Sequence, residues 1–210
     1  MKLLDILPAI GKITSTPTNL DPRAVTYLAT YPSIRALGSA PGAITPDRFN
    51  QLVVMVYGWM PRIARVDLSS ASRALTALNA AKIATPATCL TIDILSVADC
   101  LRSLVGASKA LHFVSDAVFP IWDSNVEAFR LRVNGIMPAG KPLPYNHMTD
   151  VKNYCEYVRE IHAIRADPTF STVFLAPFNG ATNSRLSALG IAPYPISEVR
   201  AIESAAFELA

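Results

Sequence analysis

The stretch SKALHFVSDAVFPIWDSNVEAF, residues 108–129, carries two groups able to do chemistry, Lys109 and Asp123, in apolar surroundings. An amine held away from water loses part of its preference for the proton. It then becomes a nucleophile toward an electrophilic carbon, with a Schiff base as the product. A carboxylate in the same cleft stabilises positive charge that develops on a reacting group. A water-poor site strengthens both effects, because charge interactions grow as the dielectric falls. Each residue also has a packing role open to it. A lysine near a helix start is commonly solvated, and an aspartate before a helix is commonly its N-cap. His112, one turn after Lys109, and Trp122, beside Asp123, are candidates to line the cleft, with core positions as the alternative for both.

The elements that must hold these groups read as helices nearly throughout. Asp21-Pro22 and Thr45-Pro46 each place a capping residue before a first-turn proline. Phe49, Leu52, Val53, Val56 and Tyr57 follow at helical spacing, and Gly58 and Pro61 close that helix. Residues 70–82 are rich in alanine and leucine. From Asp93 to Val105 the apolar residues fall on one helical face, and Gly106 is placed to stop it. Ser108 can then cap a short helix from Lys109 to Ser115. Residues 116–122 form a link, and Asp123 or Ser124 caps the next helix, which ends at Asn134-Gly135. MPAGKPLPYN is a proline-rich loop, followed by helices over residues 149–166 and from Ser197 onward. FSTVFLAPF fits a strand or a buried helix equally well. The expectation is an all-α fold of about eight helices.

Composition narrows the class. The chain has 210 residues, 51% hydrophobic and 17% charged, which supports a sizeable core and excludes a disordered chain. The longest uncharged stretch, Pro168 to Ser184, contains Pro177, a glycine and two asparagines, and makes a poor membrane span. The N-terminus, with Asp5 and Pro8, does not read as a cleaved signal. A soluble, cytoplasmic, monomeric protein is expected. Net charge is +3, which permits contact with a phosphate backbone without demanding it. Cys89, Cys100 and Cys155 are far apart and read as buried thiols in a reducing compartment. No metal-binding motif is present, and neither a metal nor an organic cofactor is expected.

Two helices joined by a tight turn, then a lysine, an apolar loop with a proline, an aspartate and a further helix form a recognisable order. Residues from about 93 to 133 resemble the helix-hairpin-helix DNA glycosylases, including the 8-oxoguanine glycosylase branch. Ser108-Lys109 matches the Thr/Ser-Lys step after the family's hairpin, and FPIWDSNV, residues 119–126, looks like its loop-plus-aspartate motif. The chain departs from the family in two places. Ala107 stands where a second hairpin glycine is usual, and Lys109 and Asp123 are 14 residues apart, a few fewer than usual.

The resemblance implies a two-lobed helical fold with a central cleft, the whole chain forming one glycosylase-like unit. It implies double-stranded DNA as partner, with a damaged or modified base turned out of the stack and its N-glycosidic bond cut. Lys109 would then be the amine and Asp123 the essential carboxylate. Gly106 and Ser108 would grip a phosphate. His112, Trp122, Ser124, Asn125 and Trp59 would face substrate or DNA. Arg62, Arg65, Arg102, Arg130 and Arg132 are candidates for backbone phosphates. Repair is the implied setting, and the two departures from the family pattern motivate the hypothesis of defence against phage DNA with modified bases. Two other classes stay open: a DNA-binding module that does not cut, and a helical protein-interaction domain.

Overall fold

In the computed structural model, residues 1–59, 65–138 and 140–210 are described, and every regular element among them is helical. In chain order these are α1 (Leu3–Ile6), α2 (Pro8–Ser15), α3 (Pro22–Ser39), α4 (Pro46–Gly58), α5 (Ala71–Ala81) and α6 (Ile94–Leu101). There follow α7 (Leu104–Val114), α8 (Ser124–Val133), α9 (Val151–Arg165), α10 (Ala176–Ala188) and α11 (Glu198–Leu209). A π-helical turn, Phe170–Leu175, runs directly into α10. This settles FSTVFLAPF as helical, with Phe170, Phe174 and Phe178 buried. The all-α expectation holds. No described helix is long and apolar enough to cross a membrane.

Several boundaries follow from capping chemistry that the sequence displays. Thr45 accepts a hydrogen bond from the Arg48 amide at the start of α4, and Pro46 occupies the first turn. Ser197 does the same for α11 through Arg200, and Asp93 for α6 through Ser96. Pro61, expected to end the helix at Gly58, and Arg62 lie outside the described residues.

Two compact units divide the chain. One comprises Met1–Tyr31, Asp123–Leu143 and Glu156–Ala210, and the other Pro32–Trp122 and Pro144–Cys155. In the first, α10 packs on α2, and α11 packs on α1, α2 and α8. Its core holds Ile6, Ile161, Phe174, Leu186 and Ile202. In the second, α5, α6 and α7 pack on one another and α4 packs on α7, around Val56, Leu78, Val97, Leu111 and Phe113. Cys89 and Cys100 are buried thiols, whereas Cys155 is only half-buried.

The helical hairpin sits earlier than expected. The first helix ends at Leu101, not Val105, and Arg102 takes a left-handed conformation with φ of 49°. Ser103 caps α7, its hydroxyl accepting the Gly106 amide at 3.0 Å. Gly106 therefore lies in the first turn of α7 and stops nothing, and Ser108 and Lys109 lie in its interior. The physical reason is local. Ser103 supplies one orphan amide of a new helix, that of Gly106, with an acceptor, which offsets the roughly 1 kcal/mol penalty of one glycine inside a helix. Apolar spacing runs across the break through Leu101, Leu104 and Val105, so periodicity alone hides it.

The hairpin's position makes Ser103 the capping residue that matters. Ser103→Ala is expected to destabilise the protein by about 1 kcal/mol. That corresponds to a fall in Tm of about 2–4 °C for a chain of this size, read by circular dichroism.

Candidate functional site

Ser108 is fully buried in α7 and does not cap a helix. Its hydroxyl accepts the Trp122 amide at 3.1 Å. It also lies 2.8 Å from the Val105 carbonyl oxygen and 3.2 Å from that of Trp122, to which it can give its one proton. One turn further, His112 is also fully buried, and its Nδ1 sits 2.8 Å from the Phe119 carbonyl oxygen. A carbonyl only accepts, so Nδ1 carries the hydrogen. From α9, the Tyr154 hydroxyl donates to the Pro120 carbonyl at 3.1 Å. Burial pushes that phenol well above its ordinary range, which keeps it a donor.

These three side chains pin the segment FPIW at Phe119, Pro120 and Trp122. The segment needs them. Residues 118–122 are buried, and a buried loop has no helix or sheet to satisfy its backbone. The Trp122 ring is fully buried, 5.7 Å from that of Tyr154.

Lys109 is half-buried on the same helix, with its ammonium 5.6 Å from the centroid of the Trp59 ring. Trp59 in turn meets Phe113 edge-on at 5.2 Å. The second unit thus gathers Trp59, Lys109 and Phe113 into one aromatic-lined spot, where a cation faces a π surface. Lys109 is six residues past the Ser103 cap. The field of a helix N-terminus fades within the first turn and does not reach that far.

Asp123 follows the pinned segment directly and belongs to the first unit. It is the N-cap of α8. One oxygen, Oδ1, accepts the amides of Asn125 at 2.9 Å and Val126 at 3.0 Å. The other, Oδ2, accepts no hydrogen bond among the described residues. The side chain is half-buried, and Ser124 and Asn125 beside it are exposed in the first turn of α8. The carboxylate is thus oriented through one oxygen and leaves the other for a visitor.

Other expected contacts take different places. Gly106, Ser108, His112 and Trp122 are buried and serve the hairpin and the loop, so burial assigns them to positioning rather than to touching DNA. The Gly106 amide in particular is occupied by Ser103 and cannot grip a phosphate. Arg130 is buried in a fork with Glu127, at 2.7 and 2.8 Å, and with Glu160 at 2.8 Å. Arg132 donates to the Leu209 carbonyl at 2.8 Å. Arg65 and Arg102 are exposed. The sequence reading missed Ser103 as a cap and Tyr154 as a loop anchor. Ser103 had a signal, a capping residue ahead of an apolar run. Tyr154 had none, since a tyrosine on an apolar stripe reads as core.

No protein-family model, no curated protein and no solved structure matches this chain.

Three substitutions separate the roles. Ser108→Ala orphans the buried Trp122 amide and is expected to cost about 1–3 kcal/mol, seen in chemical denaturation. Asp123→Ala is expected to cost about 1 kcal/mol through the lost cap, whereas Asp123→Asn keeps the cap and loses at most a few tenths. Equal losses for Asp123→Ala and Asp123→Asn would contradict the capping assignment.

Proposed function

We propose that this chain is a DNA glycosylase that acts on a damaged or modified base in double-stranded DNA. Asp123 carries the reading. Its carboxylate is locked through Oδ1 at a helix start, leaves Oδ2 open, and stands directly after an apolar segment held at three points. Such a group is preorganised to stabilise positive charge on a sugar as a base departs. Further support is the order of the elements: a helical hairpin, a lysine on its second helix, the apolar segment, the aspartate, then a helix.

The unprotonated Lys109 amine attacks C1′, the anomeric carbon of the sugar whose base is turned out of the stack. The C1′–N bond breaks, and the base leaves with the bonding electrons and takes up a proton. The C1′–O4′ bond then breaks, and the ring oxygen leaves with its electrons and takes the remaining amine proton, which gives the open-chain imine. Water then hydrolyses the imine and leaves an abasic site. The reading places the protein in the cytoplasm as a monomer. The three cysteines, none in a disulfide, are in keeping with a reducing compartment.

Borohydride trapping tests this. The protein is incubated with duplexes carrying a panel of damaged or modified bases and then reduced. A covalent protein–DNA band that disappears in Lys109→Gln is expected, together with loss of base release in Asp123→Asn at unchanged Tm. Alkali-labile sites without a band would move the attack from Lys109 to water. Duplex binding without base release on any substrate would make the chain a DNA-binding module instead.

A further inference from the structure

The first unit contains a small cavity with polar walls, independent of the glycosylase reading. A cavity of about 40 Å³ lies between α10, α11 and the chain before α11, and its walls include Phe178, Thr182, Arg185, Tyr194, Arg200 and Glu208. That is room for a few atoms, enough for a carboxylate or phosphate head but not for a sugar or a base. An open groove of about 340 Å³ shares Thr182, Tyr194 and Ile196 with it and is otherwise lined by Asn179, Asn183, Pro193 and Pro195.

The walls are fixed before any ligand arrives. The Tyr194 hydroxyl donates to the Leu28 carbonyl at 2.8 Å, and its ring stacks on Tyr31 at 5.8 Å. The Arg200 guanidinium lies 4.8 Å from the centroid of the Tyr31 ring and pairs with Glu203. Arg185 is 5% exposed. Its Nη1 pairs with Glu208 and its Nη2 reaches the Thr16 carbonyl at 3.5 Å. Its Nε–H is buried with no hydrogen-bond partner among the described residues. The Thr182 hydroxyl, one turn earlier on α10, is buried and likewise without a partner, as is the Asn179 side-chain oxygen in the groove.

Folded chains rarely leave a buried guanidinium N–H and a buried hydroxyl unmet. Both can donate, they are three residues apart on one helix, and the cavity they line has two arginine walls, each paired with one glutamate. Charge-assisted bonds from a guanidinium to an oxyanion are among the strong ones. We propose that the cavity and its groove bind a small organic oxyanion. The carboxylate or phosphate head takes the donors of Arg185 and Thr182. The body lies in the groove, where Asn179 accepts an N–H or O–H from it.

The full chain is titrated with N-acetylglycine, a carboxylate bearing one amide N–H, and separately with inorganic phosphate. Potassium chloride at matched ionic strength controls for general salt effects on stability. At least one probe is expected to raise Tm in a saturable way beyond the chloride control. Calorimetry identifies which of the two heads the cavity takes. Thr182→Val removes only the unmet hydroxyl. It is expected to keep or raise the Tm of the unliganded protein and to weaken binding about ten- to a hundredfold. Arg185→Lys, which retains the charge and drops Nε, is expected to weaken binding as well and serves alone if Thr182→Val does not fold. Shifts no larger than those of chloride for both probes would overturn the proposal. So would binding that is equally tight in wild type and in the variants.

Discussion

The Ser108 hydroxyl accepts the Trp122 amide, and the segment leading to Asp123 depends on that grip. A buried polypeptide must place every amide and carbonyl somewhere, or lose free energy on the order of a hydrogen bond for each. The Val118 and Phe119 amides reach the Ser115 carbonyl, but residues 120–122 have no helical ladder to use, and Pro120 has no amide to offer. Three polar side chains supply what the backbone lacks: Ser108 and His112 from α7, and Tyr154 from α9. Their burial makes the exchange effective, because no water competes for the same groups. An apolar segment that would otherwise be a liability thus has its buried backbone met at Phe119, Pro120 and Trp122.

Past Asp123, the same economy governs α8. Arg130 is 2% exposed, and each of its three guanidinium nitrogens meets a carboxylate oxygen, from Glu127 on α8 or from Glu160 on α9. Burial works against its charge, but the hydrogen bonds and charge of Glu127, joined by Glu160, more than compensate. The guanidinium is held more firmly protonated than usual. A buried cation satisfied in this way fixes α8 against α9 and leaves nothing for a ligand. Arg185 offers the contrast. It is nearly as buried, pairs with one glutamate, and keeps its Nε–H unmet beside a cavity. Two arginines of the same sequence type thus have opposite meanings, one structural and one receptive.

Much of the scaffold could be read from residues alone, because caps and helix periodicity act over a few positions. Thr45-Pro46, Asp93, Asp123 and Ser197 begin helices where their chemistry says they should. Asp123 was legible both as a cap and as a candidate carboxylate, and its capping geometry leaves both roles available. The hairpin was misplaced, because two helices in succession carry one continuous apolar stripe and a glycine reads as a stop. A left-handed arginine at 102 leaves no mark in the sequence, since glycine or asparagine is the residue expected there.

The sequence by itself determined the all-α class, most helix starts, and the pairing of Lys109 with Asp123 as the groups worth examining. Only the tertiary structure decided which polar side chains face inward. It turned Ser108 and His112 from site candidates into loop anchors and brought Trp59 under the Lys109 ammonium. It also set Thr182 and Arg185 at a cavity wall that no motif announces. Local chemistry is written in neighbouring residues, so it can be read along the chain. Burial and partner choice depend on residues far apart in sequence, and only packing brings them together.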